Sequence, residues 1–490
     1  MTETHSGVVF FVGDRAYKLK KPVQFGFLDF RSREAREAVC HREVELNRRL
    51  APDVYLGVAD VYGPDGRPID HLVAMRRLPA DRRLTHLVES SAGAADQLRR
   101  LAHVLAAFHA RAATAPEIDR AAGRDALATR WQANAAEMTP FVGSLLDSDA
   151  VGRAAMLAER YLAGRGPLFE ARVADGRARD GHGDLLADDI FCLDDGPRVL
   201  DCLEFDDQLR WGDALADVAF LAMDLERLGR PDLAAAFLGQ YREVASDTWP
   251  ASLAHHYVAY RALVRCKVAC LRSTQGDGDS SDQARQLLRM TVDHLEAARV
   301  RLVVVGGPPG TGKSTLARGL GDALDAVVLR SDEVRKQRAG LDPATAAGAP
   351  LGRGIYSDAA TEATYRTLLV EARTCLRGGL NVVLDASWSD ARWRDEARRL
   401  AGDAVADLHE LRCTVPRALA VARLEARAAR GGDASDADAA VAEAMAASEA
   451  PWPTAMEVDT SASPGEVVAS VLARLADHPI DQPGGALPLR

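Results

Sequence analysis

Apolar residues form a short continuous run near the N-terminus and follow a helical period further on. Val8 to Val23 contains the run Val-Val-Phe-Phe-Val, a Gly13-Asp14 turn and then Ala-Tyr-Lys-Leu-Lys, which is the pattern of a two-stranded hairpin. A charged stretch from Ser32 to Leu50 has helical spacing, whereas Pro52 to Pro68 is rich in turn-forming residues. With a further strand at His71 to Met75, these elements predict a small mixed lobe.

The pattern becomes helical after this lobe and changes again near Gly181. Apolar residues share one face of a predicted helix at Leu98, Leu101, Leu105 and Phe108. Two short strands follow at Asp189 to Leu193 and at Arg198 to Leu203, joined by an Asp-Asp-Gly-Pro turn. Helical spacing then resumes.

A stretch rich in Ser, Gly and Asp, Ser273 to Ser281, is the best linker candidate. The amphipathic stretch behind it leads into a buried strand. We therefore expect five segments: a small lobe at 1–78, a helical lobe with the strand pair at 79–272, a linker and connecting helix at 273–299, a P-loop domain at 300–480 and a tail at 481–490.

Length and composition agree with a globular protein of more than one domain. The chain has 490 residues, of which 47% are apolar and 27% charged. No apolar run approaches the roughly 20 residues of a membrane span, and the first residues lack the basic and apolar parts of a secretory signal. We expect a cytoplasmic protein with no membrane partner.

Cysteine spacing and net charge narrow the function classes further. The seven cysteines form no C-x-x-C pair and are odd in number, which argues against a disulfide framework or a zinc ribbon. The formal net charge of −10 provides no basic surface for duplex nucleic acid. A nucleic-acid partner is therefore not expected, and the oligomeric state stays open.

The strongest motif is Gly307-Pro-Pro-Gly-Thr-Gly-Lys-Ser314, which matches G-x-x-x-x-G-K-[ST] at every position. A buried strand is predicted before it, at Leu302 to Val305, and leucines at helical spacing follow. Backbone N–H groups of such a loop converge on nucleotide phosphates. Lys313 would reach the β- and γ-phosphates, and Ser314 would bind Mg²⁺. The expected nucleotide-binding residues are Gly307, Gly310, Thr311, Gly312, Lys313, Ser314 and Thr315.

A second candidate site begins at His182-Gly-Asp184, just before the predicted strand pair. Asp189 and Asp201 lie near the same end of these strands, so three acidic groups come together there. Phosphoryl transfer needs a carboxylate to orient the attacking hydroxyl and oxygen ligands to hold Mg²⁺. A solvated turn is the alternative interpretation.

This run resembles the aminoglycoside phosphotransferase family of protein-kinase-like enzymes, whose catalytic loop reads H-G-D-x-x-x-x-N and whose metal-binding Asp lies on the following strand. The resemblance covers roughly residues 1 to 270 and includes Trp211-Gly-Asp-Ala-Leu-Ala-Asp-Val-Ala219. It implies a two-lobed α+β fold, with Asp184 as the catalytic residue and Asp201 as a metal ligand. Asp189 stands where the family has a metal-binding Asn, and it retains an oxygen ligand.

The same resemblance implies a phosphate-binding lysine and a glutamate that holds it. Lys18, on a predicted strand, and Glu43, on a predicted helix, are the chosen pair. Lys20 and Lys21 lie beside Lys18, so an exposed basic strand end is the alternative. No G-x-G-x-x-G precedes Lys18, and the candidate phosphate-covering loop is Thr4-His-Ser-Gly7.

Downstream of the P-loop, carboxylates follow two predicted strands. Arg330-Ser-Asp332-Glu-Val-Arg335 resembles the corresponding stretch of small P-loop kinases such as gluconate kinases and polynucleotide kinases. The resemblance makes Asp332 the catalytic base and Arg335 a substrate-binding residue, with a helix N-cap as the alternative for Asp332. Asp385 ends the strand Val382 to Asp385 and is expected to hold Mg²⁺ beside Ser314.

Two further groups of side chains are weaker candidates in the P-loop half. Arg423, Arg427 and Arg430 share one face of a predicted helix and would bind nucleotide as a lid, or form a solvated face. Three aromatic residues would line an acceptor pocket or belong to the core: Tyr356, Tyr365 and Trp388.

Together these motifs predict a bifunctional ATP-dependent phosphotransferase. Each domain would transfer the γ-phosphate of ATP, with Mg²⁺, to a hydroxyl of a small molecule such as a sugar or an aminoglycoside-like compound. Two alternatives stay open: a nucleic-acid 5′-hydroxyl kinase in the P-loop half, and a non-catalytic central domain. Five acidic residues near the central site would suit a cationic or polyhydroxylated acceptor, or are surface charge: Asp180, Asp188, Asp206, Asp207 and Asp213.

Overall fold

The computed structural model describes residues 2–3, 7–25, 28–90, 93–274, 279–342, 353–430, 442–443, 445 and 449–476. The chain divides into two compact units. The first comprises Met1–Ala158, Phe169–Trp249 and Leu253–Ala297, and the second comprises Glu159–Leu168, Pro250–Ser252 and Ala298–Arg490.

Strands and helices are numbered in chain order over the described residues. The strands are β1 Thr2–Glu3, β2 Gly7–Val12, β3 Arg15–Lys20, β4 Gln24–Phe25, β5 Leu28–Asp29, β6 Tyr55–Tyr62, β7 Pro68–Arg76, β8 Ala178–Asp180, β9 Ile190–Leu193, β10 Gly196–Val199, β11 Trp211–Asp213, β12 Arg301–Gly306, β13 Ala326–Arg330, β14 Asn381–Asp385, β15 Asp407–Thr414 and β16 Met456–Asp459. The helices are α1 Arg33–Asn47, α2 Leu84–Ser90, α3 Ala94–Arg111, α4 Pro116–Ala122, α5 Arg124–Met138, α6 Ser148–Gly164, α7 Gly166–Ala174, α8 Ala214–Arg227, α9 Pro231–Val244, α10 Ala251–Ser273, α11 Asp279–Ala297, α12 Lys313–Leu324, α13 Ser331–Arg338, α14 Asp358–Arg377, α15 Ala391–Asp403, α16 Arg417–Arg430 and α17 Pro464–Ala476. Among the helices of these ranges, none combines the length and apolar character that crossing a membrane requires.

An antiparallel sheet with the order β1-β2-β3-β7-β6 forms the small lobe of the first unit. Its β2–β3 hairpin turns at Gly13, whose φ of 58° favours glycine, as the sequence predicts. Helix α1 covers the sheet, and Cys40 and Val44 pack with Val73 and Met75 in one apolar cluster. Glu43 lies on the same buried face of the helix and pairs with Lys18 and Lys20 at the end of β3.

The prediction for Pro52 to Pro68 was wrong over Tyr55–Tyr62, which forms β6 rather than turns. This strand lies at the edge of the sheet, pairs only with β7 and has few buried side chains. Its register shifts between Tyr55 and Gly57. An edge strand with a shift and little buried apolar surface lacks the regular alternation that identifies strands from sequence.

The larger lobe of the first unit is mainly helical and carries the predicted strand pair. Strands β9 and β10 are antiparallel, with Ile190 opposite Val199, and a second short pair joins β8 to β11. Helix α8 is almost entirely buried from Ala214 to Leu225. The first unit therefore has the expected two-lobed α+β architecture, which is confirmed.

A five-stranded parallel sheet with the order β13-β14-β12-β15-β16 organises the second unit. Its central strand β12 is buried at Leu302 to Val305 because neighbouring strands flank it on both sides and helices cover its faces. Helix α12 and the C-terminal helix α17 pack on the sheet through Leu320 and Val471. The expected α/β P-loop fold is confirmed.

Residues 159–168 belong to the second unit although they precede its sheet by more than a hundred residues. Arg165 is buried and donates hydrogen bonds to the carbonyls of Leu376 at 2.6 Å, Ala404 at 2.9 Å and Val405 at 3.0 Å. These carbonyls lie at or just beyond the ends of α14 and α15, where helices leave C=O groups unpaired. Arg165 therefore satisfies two helix ends of this unit.

Candidate active sites

Two lysines of β3 share one buried glutamate in the first unit. Lys18 Nζ lies 3.0 Å from Glu43 Oε1, and Lys20 Nζ lies 2.5 Å from Glu43 Oε2. Lys20 also pairs with Glu204 at 2.6 Å. Burial opposes a charged lysine, but Asp201 and Glu43 outweigh it and hold the pKa of Lys18 well above its usual value. Lys18 is therefore a fixed positive charge.

Asp201 joins this cluster to the end of the central strand pair. Its carboxylate forms an ion pair with Lys18, and its backbone N–H donates to Tyr55 Oη at 3.2 Å. Its φ of 64° is left-handed, so the backbone turns sharply just beyond β10. Burial would raise its pKa, but the charge of Lys18 prevails and lowers it to about 2. Its side chain is 48% exposed and ionised at neutral pH.

Helix α8 anchors the loop that carries Asp184. Asp217 accepts hydrogen bonds from the backbone N–H groups of His182 and Gly183, both at 2.8 Å, and Asp224 accepts one from Ala187 at 2.9 Å. Asp217 and Asp224 are seven residues apart and so lie on one helix face. This face therefore fixes the loop backbone on both sides of Asp184.

His182 is a buried structural residue of this loop. Its Nε2 lies 3.1 Å from the Leu200 carbonyl, and burial lowers its pKa to about 4. The ring is neutral near pH 7, so Nε2 carries the hydrogen and donates it to Leu200. His182 therefore links the loop to the strand that leads into Asp201.

Asp184 and Asp189 complete the group of carboxylates. Burial raises the pKa of Asp184, which Arg265 opposes and Asp201 reinforces. Burial also raises the pKa of Asp189 well above its usual value, and the charges of Asp201 and Asp184 add to this rise. Such mutual repulsion is relieved when a cation binds nearby.

The carboxylates of the first unit can supply part of a Mg²⁺ coordination shell. Within the described ranges, no three His, Cys, Asp or Glu side chains converge tightly enough to hold a metal by themselves. Mg²⁺ usually takes only one or two protein carboxylates and completes its shell with phosphate oxygens and water. Asp189 and Asp201 fit that role as hard oxygen donors.

In the second unit, backbone geometry at the P-loop depends on glycine. Gly307, Gly310 and Gly312 have φ values of 128°, 81° and 82°. A Cβ on Gly307 would lie 2.6 Å from the Cys413 carbonyl, and one on Gly310 would lie 2.7 Å from the Ala420 carbonyl. Other residues are therefore excluded from these positions.

The functional side chains of the P-loop lie at the start of α12. Lys313 Nζ donates to the Pro308 carbonyl at 2.9 Å, which folds the lysine back over the loop. Ser314 is half-buried and Thr315 exposed, while Thr311 Oγ1 donates to the same carbonyl at 2.7 Å.

Asp385 lies at the end of β14, beside the strand that enters the P-loop. The register of the sheet sets it opposite Val305 on one side and Arg330 on the other. Arg330 Nε lies 3.2 Å from its carboxylate. The carboxylate is buried, and like the Ser314 hydroxyl it is an oxygen donor of the kind that Mg²⁺ prefers.

Asp332 and Arg335 lie on α13, one helical turn apart. Arg335 is buried, donates to the Ile355 carbonyl and Thr361 Oγ1 at 3.1 Å, and stacks over Tyr356 at 5.1 Å. Its Nε has no hydrogen-bond partner within the described residues. Asp332 is half-buried.

The arginine face of α16 meets the P-loop through one residue. Arg423 donates to Thr460 Oγ1 at 3.2 Å and to the Thr460 carbonyl at 2.7 Å, and Thr460 Oγ1 donates to the Thr311 carbonyl at 2.7 Å. Arg427 is half-buried on the same helix, and the side chain of Arg430 lies outside the described residues.

The aromatic candidates for an acceptor pocket divide between two roles. Trp388 is buried, and its backbone N–H donates to Tyr365 Oη at 3.1 Å. Tyr365 stacks on Trp393 with ring centroids 5.0 Å apart. Tyr365 and Trp388 therefore belong to the core, whereas Tyr356 lies against Arg335.

Comparison with known proteins identifies the family of the chain. Residues 6–255, just over half of the chain, match the model of the phosphotransferase enzyme family, APH. The chain belongs to this family. Residues 302–451 of this phosphotransferase match the model of a further family, described as an AAA domain. The phosphotransferase-family domain and the P-loop domain are both of kinase type, and kinase families use ATP, generally with Mg²⁺.

Relatives and solved structures extend this comparison. An uncharacterized protein of Mycobacterium tuberculosis (strain ATCC 25618 / H37Rv) is 44% identical over 459 residues, covering 94% of this chain and 92% of the relative. A sugar kinase from Janibacter sp. HTCC2649 is similar at 21% identity and a TM-score of 0.29, covering 36% of this chain and 95% of its own. A choline kinase from Cryptosporidium parvum Iowa II has 9% identity and a TM-score of 0.41, covering 60% of this chain and 88% of its own. Likenesses this distant carry no argument about acceptors.

Sequence reasoning about this phosphotransferase missed three residues that hold its sites. Lys20 was regarded only as a neighbour of Lys18, although two-residue spacing on a strand gives both side chains the same face. Asp217 lies in the segment Trp211 to Ala219, which the family resemblance includes without giving Asp217 a role. No sequence motif surrounds Thr460. Residues 4–6 of the candidate phosphate-covering loop Thr4-His-Ser-Gly7 lie outside the described residues, and Gly7 begins β2.

Proposed function

We propose that this protein is a bifunctional ATP-dependent phosphotransferase in which each unit transfers the γ-phosphate of ATP to a hydroxyl of a small molecule. The observation that carries the proposal for the first unit is the continuous set of ion pairs from Glu43 through Lys18 to Asp201, beside Asp184. A fixed cation and adjacent carboxylates are what nucleotide binding and hydroxyl orientation require.

In this proposal Lys18 binds the α- and β-phosphates, and Glu43 keeps it in position. Asp184 accepts a hydrogen bond from the acceptor hydroxyl and orients its oxygen toward the γ-phosphorus. An O–P bond forms to that oxygen, the bond between the γ-phosphorus and the bridging oxygen breaks, the hydroxyl proton passes to the Asp184 carboxylate, and ADP departs. Asp189 and Asp201 would hold Mg²⁺, which neutralises phosphate charge when it is bound.

The second unit carries its own set of proposed roles. The backbone of Gly307, Gly310, Thr311, Gly312 and Thr315, together with Lys313, binds the nucleotide, and Ser314 and Asp385 would hold Mg²⁺. Asp332 orients the acceptor hydroxyl, and Arg335 binds the acceptor through its unpartnered Nε. Arg423 and Arg427 close on the phosphates from α16.

Transfer of labelled γ-phosphate into a small-metabolite pool tests both sites in the full chain. We expect labelled small products that disappear separately in Asp184→Asn and in Lys313→Ala protein. If Asp184→Asn leaves every product unchanged while Lys313→Ala abolishes all of them, the first unit is a binding module. Label that is retained with nucleic acid on size filtration would instead make the second unit a 5′-hydroxyl kinase.

A further inference from the structure

A cleft of about 910 Å³ opens beside Asp184 within the first unit. One wall is a continuous face of α10 that includes Tyr257, Arg261, Arg265 and Val268, and Arg130 of α5 also lines the cleft. Because Asp184 lies in this cleft, it is the space that an acceptor would occupy under the proposed function, on which the present inference rests.

The carboxylates expected to attract a cationic acceptor are engaged in local contacts. Asp180 pairs with Arg210 at 2.9 Å, Asp188 with Arg83 at 2.6 Å, Asp207 with Arg210 at 2.5 Å and Asp213 with Arg172 at 2.7 Å. Their charges are therefore compensated by guanidinium groups.

Most of the remaining acidic residues of the cleft have a hydrogen-bond or ion-pair partner, including Glu204, which pairs with Lys20. Asp206 accepts a hydrogen bond from the Gln208 backbone at 2.9 Å, and Glu137 pairs with Lys267 at 3.3 Å. Glu89 is exposed. Asp217 and Asp224 accept hydrogen bonds from the loop that carries Asp184. Asp189 and Asp201 are the residues proposed to hold Mg²⁺ beside the nucleotide phosphates.

Three arginines of the cleft, Arg130, Arg261 and Arg265, form no short ion pair with a carboxylate among the described residues. Arg261 donates to the Ala216 carbonyl at 2.9 Å and packs over Phe220 at 4.8 Å, and Arg130 donates to the Trp211 carbonyl at 3.2 Å. Among the described residues, neither forms an ion pair with a carboxylate, and the ion pair of Arg265 is a long one of 3.9 Å to Asp184.

The arginines also affect one another. Burial lowers the pKa of Arg130, and the positive charge of Arg261 lowers it further. The charges of Arg261 and Arg265 both lower the pKa of Asp184, so this carboxylate offsets only part of the repulsion among the guanidinium groups. An anion in the cleft would relieve this repulsion through charge-assisted hydrogen bonds, which a guanidinium forms well with carboxylate or phosphate.

We propose that the acceptor of the first unit is an anionic hydroxyl compound, whose carboxylate or phosphate group binds Arg265 and Arg261 while its hydroxyl faces Asp184. The 3.9 Å between Arg265 Nη1 and Asp184 Oδ1 sets the anionic group next to the reacting hydroxyl. An uncharged acceptor of the same size would bind these guanidinium groups more weakly, and a cationic one would be repelled by them.

The experiment determines whether the acceptor is anionic, neutral or cationic. It uses full-length Lys313→Ala protein, in which the second site is inactivated. A deproteinised bacterial metabolite extract is separated by ion exchange into anionic, neutral and cationic fractions, and each is incubated with γ-labelled ATP. We expect label in the anionic fraction, which disappears when Asp184→Asn is added to the same protein. Label in the neutral or cationic fraction overturns the proposal. If no fraction is labelled above the Asp184→Asn blank, the proposed function of this site fails as well.

A charge series at Arg265 tests the named contact. Arg265→Gln is expected to raise the half-saturating concentration of the anionic fraction by about tenfold or more, because a charge-assisted hydrogen bond is lost. Arg265→Lys should restore part of this affinity, and the half-saturating concentration of ATP should change by less than about twofold. Arg285→Gln is the matched control, since Arg285 is exposed and pairs with Asp282 on α11. An equal rise for ATP in Arg265→Gln would assign Arg265 to the nucleotide, and no rise for the anionic fraction would also overturn the proposal.

Discussion

Asp217 Oδ2 accepts a hydrogen bond from the backbone N–H of His182 at 2.8 Å, across 35 positions of sequence. The other oxygen accepts from Gly183, and His109 Nε2 lies 3.0 Å from the same carboxylate. Burial opposes ionisation of Asp217, but the hydrogen bond and charge of His109 lower its pKa below the usual carboxyl value. One buried carboxylate thus fixes the loop that presents Asp184.

Replacing this carboxylate by an amide should loosen the loop. In Asp217→Asn the side-chain NH2 group faces one of the two backbone N–H groups. Two donors then face each other, so one buried hydrogen bond is lost. We expect a loss of about 2–4 kcal/mol in the free energy of unfolding and at least about a tenfold fall in kcat at the first site. Chemical denaturation and single-site turnover measure these two effects.

Asp232→Asn serves as the control for that variant. Asp232 is exposed and pairs with Arg230 near the start of α9. Its substitution should change the free energy of unfolding by less than about 0.5 kcal/mol. Equal behaviour of the two variants would contradict the anchoring role of Asp217.

Glu43→Gln should weaken ATP binding at the first site. The substitution removes the negative charge that holds both Lys18 and Lys20. Because one or two charge-assisted contacts are lost, we expect the KM for ATP to rise by about ten- to a hundredfold. Glu45→Gln on the same helix removes an exposed carboxylate that pairs with Arg42, and it should leave the KM unchanged. An unchanged KM in Glu43→Gln would remove Glu43 from the nucleotide site.

Thr460→Val should weaken nucleotide binding at the second site. The substitution deletes the hydroxyl that contacts Thr311 of the P-loop and receives a hydrogen bond from Arg423. With one or two neutral hydrogen bonds lost, ADP affinity should fall by about three- to tenfold. Calorimetric titration with MgADP in a Lys18→Ala background isolates this site. Ser461→Ala, at the next and exposed position, is the control, and an equal loss there would contradict the role of Thr460.

His256 should make the first unit less stable in mild acid. Burial lowers its pKa to about 3, and Trp131 Nε1 donates to its Nε2 at 3.2 Å. The unfolded state, with a pKa of about 6.5, then binds a proton that the folded state does not, so stability is lost as pH falls below about 6.5.

The expected loss of stability follows from the pKa of His256 in the folded state and in the unfolded state. From pH 7 to pH 5 the loss attributable to His256 is about 2 kcal/mol. Denaturation at both pH values should show a fall in stability that is smaller by this amount in His256→Gln than in the parent. His41→Gln changes an exposed histidine and should retain the parent's pH dependence. A parental pH dependence in His256→Gln would contradict this prediction.

Much of the architecture follows from local patterns. The P-loop, its strand and its helix occupy 24 consecutive residues, Arg301–Leu324, and the hairpin of β2 and β3 turns where Gly13 predicts it. The central strand pair was also predicted: its first strand begins one residue later than expected, and its second strand spans Gly196–Val199 rather than Arg198 to Leu203. Strand β6 was missed because an edge strand lacks regular alternation of buried and exposed positions. The roles assigned to individual site residues stay predictions, to be decided by the experiments above.

The sequence by itself determined that two phosphate-handling motifs share this chain, because each motif is a short contiguous stretch whose chemistry is readable from residue type and spacing. Only the tertiary structure decided how the charges around them are paired. Lys20 with Glu204, Asp217 with His182 and Thr460 with Thr311 are separated by 184, 35 and 149 positions. No local periodicity encodes such partners. Whether an aspartate is compensated or an arginine faces a cleft depends on how the helices pack, and the proposal of an anionic acceptor rests on that packing.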